Sequence, residues 1–236
     1  MDKRLTKLVE RLQTAYGQRL SSVVLYGSAA GGEHHPQFSD FNVLAVLTEV
    51  TPDELAAGES IFKWWREQGS PSPLLLSESE LANSSDCFAI EYSDIKRQHM
   101  LLYGKDLVSD LAIDRSFYRA QVEHDLRAKL LRLRQKAGGV MSDAALLRRL
   151  LVDSLSTFCV LFRHSLALCG EEPPLKKREI VQRAGARFGF DPAVFEKLLD
   201  IREERIKPRE AAPADLLASY FAGIAAVIDA VDRLDK

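Results

Sequence analysis

The sequence predicts an α/β fold in two parts: a small mixed-sheet domain over residues 1–112 and an all-α helical bundle over residues 113–236. Three observations carry this. Apolar runs of helical and of strand-like spacing alternate up to about residue 92, the pattern of helices layered on a sheet. From Asp114 onward no convincing strand pattern occurs. In that second half Gly138-Gly139, Gly170 with Pro173-Pro174, and Pro208 with Pro213 cut the chain into helix-length segments.

The elements follow in order. Leu5, Leu8, Val9 and Leu12 recur at helical spacing and predict a first helix over 3–16. Ser21 to Tyr26 is a short strand, and Phe41 to Leu47 a second, rich in Val and Leu. Thr51-Pro52-Asp53 is a helix start, with Leu55, Phe62 and Trp65 as its buried stripe. Gly69-Ser70-Pro71-Ser72-Pro73 is a loop before a strand at Leu74–Leu76. Phe88, Ile90 and Tyr92 alternate with Cys87, Ala89 and Glu91, which predicts a further strand over 87–92. Helices are expected at about 114–137, 143–168, 175–188, 191–205 and 213–233, joined by short links as in a bundle.

Composition narrows the function classes. A net charge of −2 gives no general reason to expect nucleic-acid binding. Charge is nonetheless uneven: residues 36–95 hold eleven acids against Lys63 and Arg66, and residues 115–149 hold nine Lys or Arg against Glu123, Asp125 and Asp143. Cys87, Cys159 and Cys169 are far apart, form no C-x-x-C and are odd in number, which fits a reduced, cytoplasmic setting. Met1-Asp2-Lys3-Arg4 leads into an amphipathic helix rather than a signal peptide, and no membrane span is expected.

The most informative stretch is Val23-Val24-Leu25-Tyr26-Gly27-Ser28, followed by Ser39-Asp40-Phe41-Asn42-Val43-Leu44. A β-branched run ends in Gly-Ser, and a second apolar run opens on an acid. Gly27 removes a side chain where backbone must approach a ligand closely. Ser28 adds a hydroxyl, and a helix opening there would favour an anion. Residues two apart on a strand share a face, so Asp40 and Asn42 can meet one cation.

This stretch resembles the signature of the polymerase-β-like nucleotidyltransferases: strand, Gly-Ser, short helix, then Asp-x-Asp on the next strand. The helical half resembles that of the kanamycin and streptomycin nucleotidyltransferases. The resemblance implies transfer of a nucleoside monophosphate from a nucleoside triphosphate to a hydroxyl on a small molecule or protein, with Mg²⁺ entering alongside the triphosphate. It implies Gly27 and Ser28 at the phosphates, Asp40 and position 42 at the metal, and a third acid on a later strand as metal ligand or general base. Glu91 is the match for that third acid, making Asp40 and Glu91 the catalytic pair and Asp40, Asn42 and Glu91 the metal set. Tyr103-Gly104-Lys105-Asp106 looks like the turn that closes this domain.

Two positions depart from the signature. Asn42 stands where the second carboxylate belongs, and an amide offers a cation one neutral carbonyl oxygen. The loss of one negative charge at ligand distance is worth several kcal/mol even at an effective dielectric of about 20, so a weakly held metal is expected, and a non-catalytic nucleotide-binding or interaction module is the alternative. Gly31-Gly32 lacks the arginine common in that helix; His34 and His35 are nearby. Separately, Arg119 and His124 match the R-x4-H spacing of HEPN-type ribonucleases, but a five-residue offset does not put both on one helix stripe.

Overall fold

Alternating apolar residues in two strands, and apolar stripes on the helices beside them, build the first of two compact units. The computed structural model describes residues 2–31, 40–207 and 213–234. The units are Met1–Phe117 and Tyr118–Lys236.

Helix α1 (Lys3–Tyr16) starts where the Asp2 carboxylate accepts the Arg4 N–H at 2.7 Å. Its buried residues are Leu5, Leu8, Val9, Leu12 and Tyr16. A 3₁₀ turn, Gly17–Arg19, leads into β1 (Leu20–Tyr26). Then come β2 (Asn42–Leu47), α2 (Pro52–Glu67), β3 (Leu74–Ser77), α3 (Glu78–Asn83), α4 (Ala89–Arg97) and β4 (His99–Gly104). The sheet is mixed, in the order β3-β2-β1-β4. β1 runs antiparallel to both β2 and β4, and β3 runs parallel to β2.

Each sheet face carries its own core, as period-two alternation requires. Val23, Leu25, Val43, Ala45 and Leu47 pack with α1 and with Ile61 and Trp65 of α2. Val24, Leu44 and Val46 pack with Leu81 of α3 and with Tyr92 and Ile95 of α4. Fully burying an aliphatic side chain of this size contributes roughly 2 kcal/mol, so the two layers together fix which face each strand residue takes.

The α2 stripe differs from the expected one. Its buried residues are Glu54, Gly58, Ile61 and Trp65, whereas Leu55 is exposed. The cause is polar. The Glu54 carboxylate closes a capping box with Thr51, accepting its N–H at 3.0 Å, and pairs with Arg19. The Tyr16 hydroxyl donates to the Glu54 carbonyl at 3.0 Å. These bonds rotate the Glu54 side of the helix inward and leave Leu55 outside.

The expected strand over 87–92 is instead the start of a helix. Residues 89–97 form α4, with Ala89, Ile90, Tyr92 and Ile95 buried. Tyr92 and Ile95 are three apart, so helical winding brings both onto the sheet, which a strand could not do. The strand that the sequence concealed is β4, an edge strand whose apolar run His99–Gly104 does not alternate cleanly. It ends at Gly104, where φ is +78° and a Cβ would collide with the Ser21 carbonyl of β1.

Among its described residues the second unit holds helices and no strand: α5 (Tyr118–Gly138), α6 (Ala144–Leu168), α7 (Lys177–Phe188), α8 (Ala193–Arg202) and α9 (Pro213–Asp232). Asp143 caps α6 by accepting the N–H groups of Ala145 and Leu146, each at 2.9 Å. Phe158 and Phe162 of α6 meet Phe195 of α8 and Tyr220 of α9, with the Phe195 and Tyr220 centroids 4.8 Å apart. The Ser154 and Tyr220 hydroxyls hydrogen-bond at 3.0 Å. By length and composition α9 could cross a membrane. Here Leu217, Tyr220, Ile224, Val227, Ile228 and Val231 bury its apolar face within the bundle.

Gly104 supplies a test of the β1–β4 seam. A left-handed backbone and a collision with main chain act together there, so Gly104→Ala should cost at least about 2 kcal/mol of stability. Urea denaturation followed by circular dichroism measures this; a loss under about 0.5 kcal/mol would contradict the seam as described.

Candidate functional site

The site grows from the end of β1. Strand pairing sets Tyr26 opposite Asn42 on one side and opposite His99 on the other. One residue later the chain must leave the sheet, and Gly27 does so with φ +77°. A residue with a side chain there would cost about 1–2 kcal/mol in the left-handed region. The Gly27 N–H donates to the Gln98 carbonyl at 3.0 Å, and the Gly27 carbonyl accepts from Ala30 at 2.9 Å and Gly31 at 3.2 Å. Residues 28–31 thus form a hydrogen-bonded turn, and the rest of the expected short helix lies outside the described residues. His34 and His35 lie outside the described residues.

Side chains close around this turn from both neighbouring strands. Asn42 opens β2 and is half-buried; its Nδ2 lies 3.6 Å from the point a Gly27 Cβ would occupy. On the other side the Gln98 side-chain amide covers Gly31 so closely that a Cβ there would collide with it. Ser28 is exposed. Among the described residues, neither Ser28 nor the side chains of Asn42 and Gln98 have a hydrogen-bond partner. Asp40 lies two residues before Asn42 and is exposed. Gly27, Ser28, Asp40 and Asn42 therefore belong to one end of the β1–β2 pair.

Glu91 reaches a different setting from the expected one. It sits in the first turn of α4, exposed, not on a strand beside Asp40 and Asn42. The alternation that suggested its direction does not apply to a helix. Gln98 is the residue that sequence reasoning missed. It falls between α4 and β4, and reading 87–92 as a strand hid that junction.

The residue after Gln98 is itself fixed by hydrogen bonds. His99 packs its ring between the Lys96 carbonyl, 3.1 Å from Nδ1, and the Asp106 carboxylate, 3.2 Å from Nε2. Asp106 also accepts from the Ser109 hydroxyl at 2.6 Å and from the backbone N–H groups of Val108 and Ser109 at 3.2 and 3.0 Å. The Ser109 hydroxyl is the largest cause, with the His99 contact contributing, that lowers the Asp106 carboxyl to about 2.

The donor set does not suit a resident Mg²⁺. Octahedral Mg²⁺ needs carboxylate and other oxygens at close range. Asp40 offers one carboxylate and Asn42 one carbonyl oxygen. Among the described residues no group of three or more His, Cys, Asp or Glu could hold a metal ion.

The R-x4-H pair is not brought together. Arg119 donates to Glu123 at 2.8 Å and to the Val231 carbonyl at 3.4 Å, whereas the His124 side chain is 79 % exposed beside Asp125. Arg119 is thus part-buried against α9, and His124 faces solvent.

No family model matches the chain, and no curated protein matches it significantly. Among solved structures it is similar to the spectinomycin adenyltransferase AAD(9) from Enterococcus faecialis, determined with ATP and spectinomycin. The identity is 16 %, the match covers 98 % of this chain and 99 % of that one, and the TM-score is 0.61. A toxin–antitoxin structure with AMP-PNP matches 42 % of this chain and 73 % of its own, at 15 % identity and a TM-score of 0.30. The first of these shows that the chain shares that protein's fold, here a mixed-sheet unit followed in sequence by a helical one.

The Asp106 contacts generate a pH prediction. Because its folded pKa is depressed from 3.8 to about 2, the stabilisation is full above the ordinary carboxylate range and is lost as pH falls through about 2. Asp106→Asn should therefore melt lower than the parent at pH 7, and the gap should narrow as pH falls below about 4. Thermal melts across that range measure it; a pH-independent gap would mean that Asp106 acts by shape alone.

Proposed function

We propose that the first unit binds a nucleoside triphosphate at the Gly27–Gly31 turn, and that the chain passes a nucleoside monophosphate from it to a hydroxyl on a small molecule or protein. The observation that carries the reading is the convergence of Gly27 in a left-handed turn with Ser28, Asn42 and Asp40 at one end of β1 and β2. Close backbone approach, a hydroxyl and amide donors suit phosphate oxygens. The whole-length similarity in fold to an adenyltransferase solved with ATP supports the same substrate class. Asp40 is the side chain placed to meet a cation that arrives bound to the triphosphate, as part of the substrate. Such chemistry fits a cytoplasmic setting.

A second reading, nucleotide binding without transfer, is favoured by two specific observations. Asn42 replaces a carboxylate, and Glu91 lies exposed on α4. Transfer through Glu91 as base thus rests on the resemblance rather than on a strand position.

Two experiments divide the possibilities. Gly27→Val puts a branched side chain beside Asn42 in a strained backbone, so it should abolish stabilisation by nucleoside triphosphates while the helical unit stays folded. A ligand at about fifty times its dissociation constant raises the parent's stability by roughly 2.3 kcal/mol, an easily read thermal shift. If Gly27→Val responds to every triphosphate as the parent does, the turn is not the phosphate site. Asn42→Asp restores two carboxylates two residues apart. It should melt lower than the parent in chelator, through like-charge repulsion with Asp40, and should release pyrophosphate faster in Mg²⁺ with triphosphate. No metal-dependent gain in either stability or turnover would favour binding without transfer.

A further inference from the structure

We infer that this turn recognises phosphate through neutral amide donors, the side chains of Asn42 and Gln98, so that nucleotide binding does not depend on a divalent cation. The inference rests on the nucleotide reading above and specifies how that site binds.

Three observations carry it. The two amides flank the turn from opposite sides of β1: Asn42 from β2, with Nδ2 beside Gly27, and Gln98 from the α4–β4 junction, over Gly31. Both side chains are half-buried, and neither has a hydrogen-bond partner among the described residues. Two side-chain amides that spend no donor on the protein and approach one turn from opposite sides point to a ligand that accepts from both. Finally, the Gly27 N–H is already bound to the Gln98 carbonyl at 3.0 Å. The donors left for a ligand are those of Ser28, the Ala29 N–H and the two side-chain amides.

The chemistry of position 42 then takes a different meaning. A carboxylate there repels phosphate and needs a cation between them. An amide carries no charge and presents two N–H donors, which phosphate oxygens accept directly. Asn42 is in this view a phosphate ligand, not a weakened metal ligand. Gln98 holds the turn with its backbone carbonyl and the phosphate with its side chain.

Isothermal titration of the full chain with ATP, in EDTA and in MgCl₂, tests this. The dissociation constant in EDTA should lie within about threefold of that in MgCl₂. Inorganic tripolyphosphate should compete with ATP, and AMP should not. Gln98→Ala keeps the backbone bond to Gly27 and should weaken ATP binding in EDTA about tenfold, the loss of one hydrogen bond to a charged group. Asn42→Asp should weaken it by at least as much in EDTA and should make binding depend on Mg²⁺. Circular dichroism of each variant checks folding; if Asn42→Asp does not fold, Gln98→Ala decides. Three results would overturn the inference while leaving the nucleotide site in place: ATP binding only with Mg²⁺, competition by AMP equal to that of ATP, or Gln98→Ala and Asn42→Asp binding in EDTA as the parent does. Absence of ATP binding in both buffers would overturn the nucleotide reading itself.

Discussion

The hydrogen bond from the Gly27 N–H to the Gln98 carbonyl, 3.0 Å long, ties the end of β1 to the start of β4. It prolongs the β1–β4 ladder by one rung beyond the Tyr26–His99 pair. The rung forms because Gly27 turns into the left-handed region just as the strand ends. The turn at residues 28–31 and the placement of Gln98 follow from it, while the β1–β2 pairing brings Asn42 to the other side of the same strand end. The same ladder is anchored at its other end by Gly104, whose missing Cβ lets β4 come up against Ser21. Two glycines in left-handed conformations thus bracket one strand pair, and the candidate site lies at one of its ends.

Electrostatics shape what that end can hold. In an Asp-x-Asp arrangement two carboxylates repel each other until a cation arrives, and the cation then bridges protein to phosphate. Asn42 removes that repulsion and with it the protein's strongest attraction for a divalent ion. What remains at the turn is one exposed carboxylate, a hydroxyl and two amides. The Asp106 carboxylate is no substitute, since His99 and Ser109 occupy it within the turn that follows β4. The donor set at the turn, with a single carboxylate, underlies the proposal of phosphate binding through amides.

Much of the fold was legible in the sequence because its signals were strong and local. The stripe Leu5, Leu8, Val9 and Leu12 marked α1, and the Thr51 cap marked α2. Gly and Pro separated the five helices of the second unit close to their observed limits. The failures share a cause, which is that tertiary contacts outweighed local pattern. Phe88, Ile90 and Tyr92 alternate as a strand does, yet Tyr92 and Ile95 both reach the sheet only if the segment winds as a helix. Leu55 reads as core but is displaced by Glu54, whose bonds to Thr51 and Arg19 decide the helix rotation. At the site, Gly27, Ser28, Asp40 and Asn42 were visible because strand period and a glycine are sequence properties. Gln98 was not, since its role depends on a strand junction across the sheet that no local pattern announces.

The central claim is that phosphate is held at the Gly27–Gly31 turn by donors on both sides of β1. Nuclear magnetic resonance of the ¹⁵N-labelled full chain, titrated with ATP in the presence of EDTA, tests it most directly. The account predicts that the largest shifts fall on the backbone amides of Ser28 and Ala29 and on the side-chain NH₂ signals of Asn42 and Gln98. ATP binding that left those four groups unmoved while shifting signals elsewhere would contradict it.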